Sequence, residues 1–351
     1  AKRHAIVRRL PAIETLGSVS VICSDKTGTL TRNEMMVASV LTPQHLFTLE
    51  GEGYAPKGVL KLEDAHISPS EHAVLEELAR AAALCNDAAL QERDGVWHAE
   101  GDPMEGDLLS FAGKMDLPVR REQAEWPRTD AIPFDARYRF MATLNHDHAQ
   151  HAFVFVKGAP ERILAMCCDQ HGANGTQKPL DIGYWEQKAE TIAAQGQRVL
   201  AFAVKPVQPE HTVLEHADVE GSLTLLGMVG MIDPPRPEAI AAVAECHDAG
   251  IRVKMITGDH GKTAAAIGRQ IGLQNPDRVL TGADLDEMDD QALKEIVLDC
   301  DIFARTSPEH KLRLVTALQA HNMTVAMTGD GVNDAPALKR ADTGIAMGLK
   351  G

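Results

Sequence analysis

Two textures of apolar and polar positions divide this chain. Near its start, Val19-Ser20-Val21-Ile22-Cys23 is a short apolar run, led into by Glu14 to Gly17 and ended by a polar turn, and it reads as a buried strand. From Asp233 the rhythm is regular. After the Pro-rich Asp233-Pro234-Pro235-Arg236-Pro237, the pattern predicts helices at 238–249, 263–271, 290–298 and 309–320, and strands at 251–256, 302–304 and 324–327. Strands that alternate with helices imply a parallel, doubly wound sheet. Between 34 and 232 the texture is mixed. Short strands and turns around Phe47-Thr48-Leu49 and Gly53-Tyr54 precede a helix at 71–85 with Ser70 as its N-cap. A shorter helix at 104–113, strands at 140–145 and 152–157, a helix at 185–195 and a strand at 198–205 complete an α+β segment. The basic opening, residues 1–10, is expected to be helical up to Pro11.

Three polar turns, at Asp25, Thr257 and Asp330, directly follow buried strands. In a parallel sheet such strand ends converge on one crevice. For the strand near residue 20 to join strands beyond 250, the simplest arrangement is an insertion. The expected domains are therefore 1–33 and 233–351, forming one α/β domain, and 34–232, an α+β domain inserted into it.

Composition narrows the function. The chain has 351 residues, 44% of them apolar, which is enough for two cores. Its 35 Lys and Arg against 50 Asp and Glu give a formal charge of -15, which argues against a nucleic-acid partner. The six cysteines form no CxxC pair, and together with the vicinal Cys167-Cys168 they read as reduced thiols. No apolar window reaches the ~18 residues needed to span a bilayer; the nearest run, 223–232, contains Gly227 and Gly230. An N-terminus at Ala1 without Met and an abrupt Gly351 give the expectation of a piece from a longer protein.

The convergent turns hold the residue types that phosphoryl transfer needs: a nucleophile, a divalent metal and donors for the equatorial oxygens. Asp25 is the candidate nucleophile, able to form an aspartyl-phosphate. Asp330 is the candidate Mg²⁺ ligand, and Asp334 a second carboxylate nearby. Thr257 and the Gly258 amide are candidate donors to phosphoryl oxygens, Lys311 neutralises transferring charge, and Asn333 donates or accepts beside it. Two residues after the nucleophile stands Thr27, which has no useful pKa for general acid–base work, so a phosphorylated Asp25 is expected to hydrolyse slowly. The histidines 146, 148 and 151 read as a solvated turn, and Asp284 to Asp290 as a charged helix entry.

Asp25-Lys26-Thr27-Gly28-Thr29-Leu30-Thr31 resembles the phosphorylation motif of the P-type ATPases, the ATP-driven membrane pumps. Thr257-Gly258-Asp259 is similar to their TGD motif, residues 328–338 to their hinge motif, Asp233-Pro234-Pro235-Arg236 to their interdomain linker, and residues 303–311 to the segment supplying a phosphate-site lysine. The resemblance covers essentially the whole chain. It implies a haloacid-dehalogenase-like phosphorylation domain with an inserted nucleotide-binding domain, using ATP and Mg²⁺. It further implies that Asp25, Thr27 and Asp330 hold the metal, and that Thr27, Asp259 and Arg305 lie with the nucleotide-binding residues.

In the insert, Lys157-Gly158-Ala159-Pro160-Glu161 resembles the family's KGAPE, which implies Lys157 and Gly158 at the adenine pocket. Phe134 matches the aromatic that stacks on adenine, Glu105 the carboxylate that reads its amino group, Arg139 a basic position usually held by Lys, and Arg198 a phosphate contact. Tyr138 and Met104 depart from the pattern, where a basic residue and Thr are usual. The stretch 8–17 resembles the type II pumps, which include calcium pumps. The implied partners are the transmembrane helices and actuator domain of the same pump, with membrane contact only through segments outside this chain, at the cytoplasmic face of a bacterial plasma membrane. Two other readings stand beside this: a free-standing phosphatase of the haloacid-dehalogenase type, and a nucleotide-binding regulatory module without chemistry.

Overall fold

The computed structural model describes residues 15–172, 176–329 and 334–347. The chain separates into two compact units. One gathers the described residues of Ala1–Asn33, Ala194–Gly196 and Asp233–Gly351; the other comprises Glu34–Ala193 and Gln197–Ile232. The opening segment expected to be helical, 1–10, lies outside the described residues, as do Asp330 and Asn333.

The first unit is built on a parallel sheet. Its strands run, in spatial order, Val279–Thr281, Ile302–Ala304, Arg252–Ile256, Val21–Asp25, Val325–Gly329 and Thr343–Ala346. The strand carrying Asp25 is central, with Val21 paired to Arg252 on one side and to Val325 on the other. Val21, Cys23, Ile256, Phe303 and Met327 form the core with Leu314, Val315 and Leu318 of the helix Pro308–Gln319. The helices and strands that the apolar pattern predicts in this unit lie within two residues of the observed ones. Their starts are chemically marked: Thr281, Asp289 and Ser307 each accept a backbone N–H of the helix that follows. The acidic stretch 284–290 thus ends one short helix and caps the next. The strand Val279–Thr281 and the helix Gly282–Glu287 carry too few residues to show a period, and the sequence pattern did not mark them.

The second unit is built on a mainly antiparallel sheet, with Cys167–His171 added parallel to Leu223–Ile232 and a separate hairpin of Ala89–Arg93 and Val96–Glu100. Nine strands follow in the order Ala65–Ile67, Gly58–Leu62, Leu46–Gly51, Met36–Leu41, Leu223–Ile232, Arg198–Val207, Ala152–Gly158, Phe140–His146 and Arg128–Asp135. The helices Ala73–Leu84 and Pro103–Lys114 supply Leu75, Leu78, Leu108 and Phe111 to one core, with Phe155 and Phe202 from the sheet. The helices Pro160–Met166 and Ile182–Ala194 supply Ile163, Trp185 and Ile192 to a second core. The strand Leu223–Ile232 is buried at every position, so it reads as a continuous apolar run without alternation. Ser70 is not the cap of the helix at Ala73. It sits in a 3₁₀ turn, Pro69–Glu71, with its hydroxyl 2.8 Å from that of Ser68, and His72 takes the capping position without a side-chain bond. The helix Pro103–Lys114 is capped as its sequence demands: Asp102 accepts from the Met104 and Glu105 amides, and Pro103 fills the first turn.

Candidate active site

Within the first unit, Asp25 ends the central strand and the chain then turns through Lys26–Leu30. Gly28 takes φ +73°, a conformation that a side chain resists, while Thr27 stays extended. The turn closes through Thr31 N–H donating to the Lys26 carbonyl at 3.0 Å.

Lys311, in the first turn of the helix Pro308–Gln319, reaches the strand end. Its Nζ lies 2.7 Å from Asp25 Oδ2 and 2.7 Å from Asp334 Oδ1, and all three side chains are largely buried. Burial pushes the Asp25 carboxyl above the usual range; Lys311 offsets this only in part, and the nearby Asp334 adds to the rise. Burial pulls the Lys311 ammonium down, but Asp25 and Asp334 outweigh it, and its pKa stands above the ordinary value. One lysine therefore faces two carboxyl groups. Carboxyl oxygens of this kind suit Mg²⁺. Asp25 is the member of the expected metal set that has a described side chain in this cluster, and Thr27 lies two residues along the turn; among the described residues, no three metal-ligating side chains group together.

Thr257 follows the strand Arg252–Ile256 and is buried. Its carbonyl accepts from both Thr306 N–H and Thr306 Oγ1, and its own Oγ1 accepts the Asp259 N–H at 3.1 Å, leaving the hydroxyl proton to donate. Gly258 is exposed, with no atom within 4 Å of a Cβ built there. Arg305 has an exposed side chain and a backbone N–H bonded to the Asp259 carbonyl at 3.0 Å. Asp259 itself is bound by a residue the sequence reading left without a role. Lys26, 5% exposed, lies 2.7 Å from Asp259 Oδ2 and 3.4 Å from Asp233 Oδ2.

Asp233 also accepts from Thr31 Oγ1 at 2.6 Å, and Arg236 donates to the Thr31 and Gly28 carbonyls. The Asp233–Arg236 stretch, expected as a linker, therefore clamps the turn that follows Asp25. A lysine inside a turn between apolar strands was the available signal, since a buried ammonium must find carboxylates.

The second unit holds the remaining candidates. Lys157 Nζ and Glu105 Oε1 are 2.5 Å apart, both mostly buried, and Glu105 Oε2 accepts the Asp87 N–H at 2.9 Å. Phe134 is 60% exposed, an unusual state for a large aromatic on a strand. Arg139 occupies a positive-φ turn and pairs with Glu161 at 2.5 Å. Gly158 is a packing requirement: a Cβ there would stand 2.5 Å from the Arg139 carbonyl. Arg198 is exposed at the start of its strand, and among the described residues no bond joins it to the Lys157–Glu105 pair. His146 and His151 bond Thr129 and Asp147, as a surface turn does.

Residues 74–238 match the family described as P-type ATPase, cytoplasmic domain N. All of this chain aligns with a cation-transporting ATPase, pma1, of Synechocystis sp. at 48% identity and with a probable cation-transporting ATPase F of Mycobacterium tuberculosis at 47%, covering 39% of each. It likewise aligns over its full length with a calcium-transporting ATPase of Bacillus subtilis at 40% identity, covering 40% of that protein. The chain thus spans about two fifths of the length of these relatives.

Proposed function

Since this chain is a segment of a P-type ATPase, we propose that it is the catalytic part of an ATP-driven cation pump. In this reading residues 1–33 and 233–351 form a haloacid-dehalogenase-like phosphorylation domain, and 34–232 an inserted nucleotide-binding domain. A carboxylate oxygen of Asp25 bonds to the γ-phosphorus of ATP as the bond to the bridging oxygen breaks. ADP leaves with the electron pair, and an aspartyl-phosphate remains.

The observation that carries the reading is Lys311 held 2.7 Å from both Asp25 and Asp334, because an ammonium fixed beside the nucleophile is where transferring negative charge is met. Asp334 holds Lys311 in place. The Thr257 hydroxyl and the Gly258 amide donate to phosphoryl oxygens, and Asn333 is a further donor or acceptor. When bound, Mg²⁺ supplies charge neutralisation between phosphoryl oxygens and protein, through Asp25, Thr27 and Asp330. Thr27 cannot deliver or remove a proton near neutral pH, so the acyl-phosphate persists until other parts of the pump act. This counts against a free-standing phosphatase.

ATP is held by the insert. Its base stacks on Phe134, whose 60% exposure suits a platform awaiting a ring, with Lys157, Gly158, Glu105 and Arg139 at the adenine pocket and Arg198 at the phosphates. Asp259 and Arg305 complete the nucleotide-binding set. The other partners are the transmembrane helices and actuator domain of the same pump, in a bacterial plasma membrane. Relatives named calcium-transporting ATPases make Ca²⁺ the cargo to test first.

The experiment is Asp25→Asn in the full-length pump. We expect the acid-stable, hydroxylamine-sensitive phosphoenzyme to vanish while ATP binding stays within about twofold. A phosphoenzyme that persists in this variant removes Asp25 as the nucleophile.

A further inference from the structure

The second unit contains a cavity of about 410 Å³ that none of the nucleotide-pocket candidates lines. It lies at the opposite end of the strand Ala152–Gly158 from Lys157. Phe153 and Phe155 share a face with Lys157, and Phe153 is four residues away, or about 13 Å along the strand. That volume falls in the range of small-molecule sites.

Its walls have a definite chemistry. Trp126 meets Phe153 edge to face at 5.5 Å between ring centroids, and Phe153 stacks beside Phe155 at 6.1 Å. The charged side of the cavity is formed by the helix Ala73–Leu84 together with His171, and Gln177 and Thr224 add neutral polar groups. Arg80 lines the cavity but is committed to two carboxylates, Glu122 at 2.8 Å and Glu76 at 3.0 Å. Glu77 lines it too, with one oxygen, Oε2, 2.7 Å from His171 Nδ1. The guanidinium is therefore met by two carboxylates that stand behind the wall, and Glu77 is the carboxylate on the wall itself. An incoming anion would meet an arginine already bound to two carboxylates, whereas a cation would meet the Glu77 carboxylate and electron-rich ring faces.

We propose that this cavity binds a small amphipathic organic cation, an aromatic amine, with its ring against Trp126 and Phe153 and its ammonium toward Glu77. The site is separate from nucleotide binding and does not depend on the pump reading. It accounts for an aromatic cluster that leaves Trp126 and Phe153 only half-buried beside a charged helix face.

The test uses the whole chain and two probes matched in ring and size, 2-phenylethylammonium and phenylacetate. Binding is followed through the Trp126 indole N–H signal in a nitrogen–proton correlation spectrum. The ammonium is expected to shift that signal with a millimolar or tighter dissociation constant, at least about tenfold tighter than the carboxylate. Glu77→Gln should weaken the ammonium about fivefold or more and leave the response of the chain to ATP unchanged. Two results overturn the proposal: phenylacetate binding as well as the ammonium, or no Trp126 shift with either probe at about 20 mM, which would mark a merely hydrated cavity. The comparison of probes on the unaltered chain decides the matter even if Glu77→Gln perturbs the fold.

Discussion

Asp107→Asn should stabilise the chain, and by an amount that grows with pH. Asp107 sits in the helix Pro103–Lys114 and is 0% exposed; the Val37 amide approaches its carboxylate, but at a geometry that gives neither oxygen a full hydrogen bond. Lys114, two turns along the same face, is buried and also without a partner. Burial pushes the Asp107 carboxyl from 3.8 up to about 8, with Lys114 and the Val37 amide opposing it only in part. Burial likewise lowers the Lys114 ammonium.

The sign follows from proton counting. Between pH ~4 and ~8 the native state holds a proton on Asp107 that the unfolded state has lost, so stability falls as pH rises through that window. The slope is about 1.4 kcal/mol per pH unit, or about 3 kcal/mol between pH 5 and pH 7. Asparagine matches the shape and has no proton to take up. Its own unpaired amide costs about 1–3 kcal/mol at every pH, so the difference between the two pH values is the firm quantity. The assay is urea unfolding of both chains at pH 5 and pH 7, read on the amide signals of this helix. A stability gain equal at the two pH values, within about 0.5 kcal/mol, would refute the argument.

Phe134→Ala together with Lys157→Ala should abolish ATP-induced chemical-shift changes, which in the unaltered chain are expected to saturate with a dissociation constant of about 0.1–1 mM; shifts that survive would move the nucleotide elsewhere. Lys311→Ala leaves Asp25 and Asp334 side by side without their ammonium, and should lower the stability of the first unit by about 3–5 kcal/mol in a denaturant titration, whereas an unaltered midpoint would mean that water already screens the pair. Lys26→Met should leave Asp259 and Asp233 unneutralised and raise proteolytic cleavage in 26–31, and an unchanged digestion pattern would show that Arg236 alone fixes the turn. Steady-state phosphate release from ATP should stay far below one per second for the unaltered chain, while Thr27→Asp should accelerate hydrolysis of a small acyl-phosphate by less than the ~10²–10⁴-fold of a well-placed acid–base group; a fast unaltered chain would favour the phosphatase reading.

The parallel sheet was legible because each of its central strands is a short apolar run ended by a turn residue, as at Ile256-Thr257 and Cys23-Ser24-Asp25. The strand Leu223–Ile232 was not. With cores on both of its faces it lost the alternation that marks a half-buried strand, and it showed only as an apolar run with two glycines. A Cβ on either glycine would collide, at Gly227 with the Leu41 carbonyl and at Gly230 with Gln197 and Ile192. Ser70 had the chemistry of a cap but not the backbone, because Pro69 opened a 3₁₀ turn before the helix began. In the site, Asp25, Lys311 and Asp334 were readable from residue type at strand and helix ends. The Lys26–Asp259–Asp233 contacts were not, because they join positions 207 and 233 residues apart.

The placement of Asp25 has a consequence in time. Its strand pairs on both sides with residues made much later: Val21 meets Arg252, 231 positions on, and then Val325. At roughly 5–20 residues per second, a ribosome needs on the order of 10–50 s to supply even the first partner. Through that interval Asp25 belongs to an unpaired, apolar segment exposed to other chains. The inserted unit is complete in sequence before then. The chain enters and leaves it side by side, where Arg32 N–H bonds the Pro234 carbonyl and Thr31 bridges Pro235. Once folded, the insert has already brought residues 31 and 235 together, which removes most of the loop-closure entropy that a span of this length would otherwise cost. Mutations that slow the folding of the insert should therefore lower the yield of the parallel sheet without touching one of its strands.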